Sequence, residues 1–524
     1  MNLRSFILQI NILFFFLILF TGCELKEPTA PQWDVDLNLP FSNKNYNIYD
    51  IIKRSSNIGI DSSDNNLVYL FGESNYKRVF GDDITFDGIP LTNVTAVSTV
   101  QLDTSLIIDD STFIRSAYFL NGSLSFTFFN TSGENYILSA VIKNLFNNSD
   151  NDTVRINRTV NSGQQEKIIL DLENYHLKNV SLDNSLKLRL IFKSVNPVPV
   201  NFKYSLSEYS IKSIEGRLKP LSTGVVTEEV IDPFGADVPQ GEVNFASLTA
   251  NKNFIILKKY ISTYRIDFSQ LSIIGENKNG QRLSLKYLRN GNAGDPLDSV
   301  FTLTLPSDKD SALFPLNENN SNILNFINNI PKKITLTRND FLNSDYQEGS
   351  VRNTDSVSIK LLIQVPLDVS IKQPIIFSDT SDAGISDTDQ RKQLDNAKNL
   401  QVTINAENGF PLKAVSKIII LDSNFFPLLA ISKIVGNNPD SSIIIQAAPV
   451  GSNGFVMNNR TTVFTAELDS LQISNFKHMG KIIYEYKLFT DPDIIPFPLT
   501  TVKLSSNDRF RLVSFGKLKY RINF

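Results

Sequence analysis

Strand-length apolar runs recur along this chain, and clusters of Asn, Ser, Asp and Gly cut them apart. Leu124-Ser125-Phe126-Thr127-Phe128 alternates apolar and polar side chains, as do Val357–Leu361 and Leu400–Ile404. A period of two puts alternate side chains on opposite faces of a strand. Ile418–Leu421 and Ile443–Ile445 are continuous instead, the pattern of strands buried on both faces. The punctuation between runs, as in Ser62–Asn66, Asn147–Asp152 and Gly291–Asp295, is that of turns. Helical spacing is confined to Asn322–Asn329 and Gln390–Ala397. No long amphipathic helix and no βαβ alternation occurs, and no Gly-rich phosphate loop follows a strand, which disfavours nucleotide-binding folds. The pattern predicts a mainly β protein of tandem antiparallel β-sandwich-like domains with a few short helices.

A chain of 524 residues has room for two to four such domains. Two stretches run in parallel. Leu124–Asn130, Tyr136–Ile142, Lys167–Leu172 and Leu186–Lys193 match Leu400–Asn408, Leu412–Ile418, Val463–Leu471 and Lys481–Leu488 in order and turn spacing, with few identities. Two explanations stand side by side, duplication of a β-domain and the general monotony of β sequence. The expected organisation is 1–22 as a leader, 23–32 as a tether and 33–109 as an N-terminal β-rich region. A sandwich-like domain follows at 110–215, then a β-rich intervening region at 216–397 and a second sandwich-like domain at 398–524.

The chemistry available is narrow. There is one cysteine, Cys23, and there are two histidines, His176 and His478. A Cys₄ or Cys₂His₂ zinc site cannot be assembled within the chain, and neither histidine belongs to an HExxH helix. Neither lies in a recognisable Ser-His-Asp motif, so each is read as an ordinary surface or core-edge histidine. No disulfide is available, and stability has to come from apolar burial and sheet hydrogen bonds. A formal net charge of −3 with no basic stripe argues against a nucleic-acid partner. No cofactor or metal is expected. The remaining reactive groups are acid clusters, Asp82-Asp83, Asp109-Asp110 and Asp379–Asp389. A glycosidase needs two carboxylates facing each other across a cleft, and sequence neighbours on a strand point to opposite faces. Asp379–Asp389 is read as a solvated loop, with Ca²⁺ binding as the alternative.

The N-terminus carries the most specific signal. Arg4 precedes an apolar run from Phe6 to Phe20, and Leu19-Phe20-Thr21-Gly22-Cys23 follows with small residues before the cysteine. This resembles the lipobox of bacterial lipoproteins, with Phe20 where Leu is more usual. The resemblance implies cleavage between Gly22 and Cys23, lipidation of Cys23 and attachment to a membrane. A free or buried thiol at the end of an ordinary membrane helix is the alternative, but the run is short for a span and polar residues follow at once. Residues 24–32, with Pro28 and Pro31, read as the tether. Trp33, Val35, Leu37 and Leu39 then alternate with polar residues, giving a half-buried strand. Trp33 is expected to pack in the core, with ligand stacking as the sharper alternative.

Pro31–Pro40, the later Asn408-Gly409-Phe410-Pro411-Leu412 and Leu421-Asp422-Ser423-Asn424 together resemble a group of envelope lipoproteins of the Bacteroidota and their relatives. That resemblance implies a location and no activity. Glu24, Lys26 and Glu27 loosely resemble the surface-export signals of such proteins, without a matching order. Asp-Ser/Thr-apolar tripeptides at Asp152, Asp298, Asp310, Asp355 and Asp469 resemble the O-glycosylation acceptor motif of Bacteroidota, a signal short enough to recur by chance. The expectation is a non-enzymatic, outer-membrane lipoprotein that binds or assembles an envelope protein or glycan. The alternatives are a carrier of an apolar ligand, for which the 37 Phe residues speak, and a surface hydrolase using paired carboxylates.

Overall fold

The computed structural model describes residues 7–14, 32–51, 57–81, 84–196, 198–234, 243–382, 394, 397–431, 443–476 and 478–523. The chain divides into two compact units. One comprises Met1–Ile51, Pro374–Pro498 and Asp508–Phe524, the other Ile52–Gln373 and Leu499–Asn507. Two of the expected linear regions are therefore split, 33–109 after Ile51 and 216–397 before Pro374.

Among the described residues of the first unit, besides the short strand Ile443–Ile445 that pairs with Leu412–Leu421, eight strands follow as Gln32–Asn47, Ile375–Asp382, Ala397–Asn408, Leu412–Leu421, Pro427–Ile431, Arg460–Asp469, Lys481–Thr490 and Arg509–Asn523. Counted in that order, they form two antiparallel sheets, 1-8-3-6 and 2-7-4-5. The two sheets share an aromatic core. Tyr46 from strand 1 sits 5.5 Å from the Phe377 ring of strand 2 and 5.9 Å from Tyr486 of strand 7, and Tyr486 is 5.5 Å from Phe510 of strand 8.

The second unit contains this order twice. Leu67–Val79, Leu221–Ile231, Phe254–Tyr260, Ile266–Glu276, Arg282–Ser284, Ser311–Pro315, Lys333–Leu342 and Ser356–Pro366 give 1-8-3-6 and 2-7-4-5. Ile89–Thr99, Gln101–Ile107, Ser123–Phe129, Tyr136–Asn147, Thr153–Val160, Gln165–Asp171, Ser185–Lys193 and Val198–Leu206 give the same pairs again. Eight antiparallel strands in two sheets of this order are a jelly roll. In all three a short helix follows strand 6: Ser470–Phe476, Ile323–Asn328 and Leu172–Asn174.

The three rolls are nested. The outer roll's strand 1 ends at Asn47 and its strand 2 begins at Ile375, with Ile52–Gln373 of the second unit between them. The middle roll's strand 1 ends at Val79 and its strand 2 begins at Leu221, with the inner roll between them. Within the second unit the two rolls are also joined by hydrogen bonds. Tyr209–Arg217 pairs with Phe113–Phe119 on one side and Glu348–Arg352 on the other, so one sheet runs through nine strands.

The parallel stretches of the sequence occupy equal places. Leu124–Asn130 and Leu400–Asn408 are strand 3 with its corner, and the other three matches cover strands 4, 6 and 7. The stretch read as intervening holds most of the middle roll, a third copy of the order. The structure departs from expectation at local points too. Ser470 and Leu471 open a helix rather than extend a strand. Ile419 and Ile444 are half-buried, because each belongs to a sheet packed on one face only. The helix expected at Gln390–Ala397 falls largely outside the described residues, and Ala397 itself opens a strand.

One polar device recurs at the corner after strand 3. Asn408 Nδ2 donates to the carbonyls of Leu412 (2.9 Å) and Gln446 (2.8 Å) while its Oδ1 accepts from the Phe410 amide. Asn130 does the same with Glu134 (2.8 Å), Val160 (2.9 Å) and the Ser132 amide. The middle roll uses Lys259, whose Nζ donates to the carbonyls of Tyr264, Pro306 and Ser307 at 2.9–3.0 Å. Each side chain is buried, and each satisfies carbonyls that lead into strands 4 and 6.

Candidate functional site

Residues singled out in the sequence are dispersed. Gly22, Cys23, Asp82, Asp83, Asp387 and Asp389 lie outside the described residues. Residues 7–14 of the apolar N-terminal run form a helix with exposed side chains. Among the described residues no helix is long and apolar enough to cross a membrane.

His176 is 6% exposed, stacked between Tyr118 (4.8 Å) and Phe146 (5.6 Å). Its Nδ1 lies 2.9 Å from Asn148 Oδ1, and burial lowers its pKa. That is a packed core histidine. His478 is exposed in a turn of the other unit. Asp109 accepts from Lys219 Nζ (2.7 Å) and from the amides of Ser111 and Thr112. Burial alone would raise its carboxyl, but these donors hold it below the usual range. Asp379 and Asp382 sit in a strand rather than a loop. Asp379 accepts from the Tyr46 hydroxyl at 3.0 Å and pairs with Lys44, and Asp382 pairs with Lys481 at 2.8 Å. These carboxylates are engaged in structural pairs. Among the described residues no cluster of three or more His, Cys, Asp or Glu is arranged to hold a metal ion.

The acceptor tripeptides separate by burial. Asp355 and Ser356 are buried, whereas Ser470 is exposed on the short helix after Asp469. Trp33 is 52% exposed at the start of the outer roll, so the expectation that it packs in the core is corrected. Its strand pairs with the final strand, Trp33 opposite Ile522 at the second rung of the ladder.

A groove of about 390 Å³ opens at the edge of the middle roll. The Ile58–Asp61 strand and the turn after it supply Asp61 and Asp64, and strand 1 supplies Tyr69. Ser247–Ala250 and Lys252 come from the loop before strand 3. Gln364, Asp368 and Lys503 complete the wall. The wall is pinned by main-chain bonds: Thr249 N to Gln364 O at 3.3 Å, Ala246 N to Asp368 O at 2.9 Å and Leu504 N to Leu367 O at 2.9 Å.

Two groups of the groove are held in place before any ligand arrives. Tyr69 faces Gly59 across the strand pair, and a Cβ on Gly59 would fall 2.1 Å from the ring. Glycine at this position lets the ring lie flat over the backbone. Asp61 Oδ1 accepts from the Ser63 hydroxyl (2.5 Å) and amide (2.9 Å), which together lower its pKa. Asp64 lies 3.6 Å from Lys503 Nζ. Three carboxylates, an amide, two hydroxyls and two ammonium groups thus surround one aromatic face. Such a wall suits a ligand dense in hydroxyl groups, since O–H donors to carboxylates make strong hydrogen bonds. Sequence reading missed this site, and took Ser62–Asn66 as punctuation only. The available signal was Gly59 inside the alternating run Ile58-Gly59-Ile60, where a glycine marks close approach of another group.

The outer roll also holds a cavity of about 20 Å³ against Tyr46, Phe377, Phe410, Tyr486, Leu488 and Phe510. That volume is room for about one water molecule.

No family model matches the chain, and no curated protein matches it. Solved structures give weak likenesses. A protein of Parabacteroides distasonis ATCC 8503, predicted to be secreted, is 11% identical with a TM-score of 0.37, over 92% of this chain and 99% of that one. PBSX exported protein XepA is 10% identical with a TM-score of 0.14, over 59% and 94%. PNGase F, a glycosylasparaginase from Flavobacterium meningosepticum, is 9% identical with a TM-score of 0.15, over 52% and 99%. At these scores none of them assigns a fold or an activity to this chain.

Proposed function

We propose that this is a non-enzymatic binding module of the bacterial envelope, anchored to the outer membrane through lipidated Cys23, and that its groove takes a glycan. The groove carries the binding half of this reading: polar groups of both signs surround Tyr69, whose ring is set in advance over Gly59. The lipobox-like segment ending at Cys23 supports the anchor. The apolar-carrier alternative finds little room in the outer roll, where the cavity holds about one water rather than an acyl chain.

Binding is tested with the soluble chain, residues 24–524, on defined bacterial-envelope oligosaccharides by calorimetry. Tyr69→Ala removes the stacking face and should weaken binding about tenfold, the equivalent of about 1.4 kcal/mol. Gly59→Val should displace the ring and act in the same direction. Oligosaccharide binding that both variants leave unchanged, or its absence from the native chain, would count against the groove as a glycan site. For the anchor, Cys23→Ala should leave the precursor uncleaved and unacylated, and acyl labelling that persists in this variant would refute it.

A further inference from the structure

We infer that the outer face of the middle roll's 1-8-3-6 sheet carries an oxyanion site, built from Lys77, Lys258 and Ser358, that takes a phosphate monoester. The strand register gathers these residues. Lys77 on strand 1 and Lys258 on strand 3 both stand opposite Ser358 on strand 8, and Lys258 also stands opposite Ser311 on strand 6. Residues directly opposite one another share a face of the sheet. One row therefore reads Lys77, Ser358, Lys258, Ser311 across four strands, and Tyr260 lies opposite Ser356 in the next row. Lys77, Lys258 and Tyr260 are exposed, so this is the solvent face, whereas the adjacent Lys259 points into the roll.

Both ammonium groups lean on one ring. Lys77 Nζ is 5.0 Å and Lys258 Nζ 4.7 Å from the centre of Tyr260. Among the described residues neither lysine is in an ion pair. The nearby carboxylates are otherwise placed: Glu73 is taken by Lys360 at 2.7 Å, buried Asp355 accepts the Arg352 amide, and exposed Asp310, beside Ser311, pairs with neither lysine. Ser358 between them is 6% exposed, and among the described residues its hydroxyl bonds no other group. Two like charges drawn to one spot repel until an anion lies between them. A phosphate monoester brings a charge of about −1.5 to −2 and three acceptor oxygens, which matches two ammonium groups and a hydroxyl. A carboxylate brings half that charge. Tyr69 of the groove lies eight residues earlier on the same strand, about 27 Å away at 3.4 Å per residue. The two sites are separate, and this inference stands without the glycan reading of the groove.

The soluble chain, residues 24–524, is titrated by calorimetry with glucose 6-phosphate, glycerol 3-phosphate, glucuronate and glucose. At least one of the two esters should bind and glucose should not, with glucuronate weaker than the better ester by about fivefold or more. The preferred ester names the source, a phosphorylated glycan or a lipid headgroup, and either preference supports the site. Lys77→Gln combined with Lys258→Gln should weaken ester binding about tenfold or more. Both lysines are exposed, so melting of this variant should be unchanged. A second measurement needs no variant: the bound ester should slow reductive methylation of Lys77 and Lys258 but not of exposed Lys167 in the inner roll. Tyr69→Ala should leave ester binding intact, which keeps failure of the groove distinct from failure here. Esters bound no better than glucose, glucuronate bound as tightly as the esters, or methylation that the ester does not slow at either lysine would overturn the inference. So would ester binding that survives the double lysine variant or is lost with Tyr69→Ala.

Discussion

Asn130 and Asn408 show how much a single side chain can hold in this molecule. Each donates to two main-chain carbonyls and accepts from an amide at the corner between strands 3 and 4. Alanine leaves buried carbonyls unpaired, which costs about 1–3 kcal/mol. Asn408→Ala should lower the stability of the first unit and Asn130→Ala that of the second, read as a drop in denaturant midpoint with an unchanged slope. His176 makes a pH-dependent contribution. Its folded pKa is depressed by burial, so its stabilisation is complete above the unfolded value near 6.5 and is lost as pH falls through the folded value. The melting temperature of the second unit should therefore decline below about pH 6.5. His176→Gln should flatten that decline while costing about 1–3 kcal/mol at neutral pH, since the ring fills a stacked, buried slot. A decline of the same steepness in the variant would assign it to other groups. Arg338 is a different case, a cation inside the middle roll with no exposed surface. Its Nε meets Asp340 at 3.1 Å and its guanidinium lies over the Phe268 ring, and burial raises the Asp340 carboxyl.

Strands, their ends and even their equivalents in a second copy are legible in the sequence, because a period of two and turn residues are local signals. Leu124–Asn130 against Leu400–Asn408 aligns two strands with the same partners, each bonded to strand 6 and strand 8 of its roll. The third copy is illegible for a physical reason. Its strand 5 is three residues long and its strand 6 five, and Lys259 replaces the corner asparagine, so length and residue type both drift while the strand order holds. The helix Ser470–Phe476 hides similarly. Phe464, Ala466 and Leu468 carry a strand period up to Asp469, and the turn is decided by Asp469, which accepts from the Gln472 amide while Gln472 reaches back to the Asp469 amide. The groove was hardest to foresee, since Asp61, Asp368 and Lys503 are brought together by strands hundreds of residues apart. Trp33 could be placed on a strand from its alternation, but its 52% exposure could not be read there.

At the scale of the whole molecule, nesting makes the outer roll depend on both extremes of the chain. Its sheet 1-8-3-6 needs Gln32–Asn47 and Arg509–Asn523 together, whereas every strand of the second unit lies between them. Ending the chain after Asn507 should abolish the melting transition of the first unit and leave that of the second within a few degrees, because Val502–Lys503 and the Leu504 bonds are retained. Calorimetry of the full and shortened chains checks this, and loss of all cooperative melting in the shortened chain would show the second unit to depend on the first. The ladder between the first and last strands also has a mechanical direction. Gln32 stands opposite Asn523, so tension applied between those two residues peels the hydrogen bonds apart rung by rung. Tension between Gln32 and the second unit enters at Asn47, the far end of the same 16-residue strand, and runs along its covalent backbone, so the rungs to the last strand carry little of it. A cell that holds this protein by its N-terminus and draws on the second unit thus loads the strand in its strong direction, while the same force delivered through the last strand would open it like a zip.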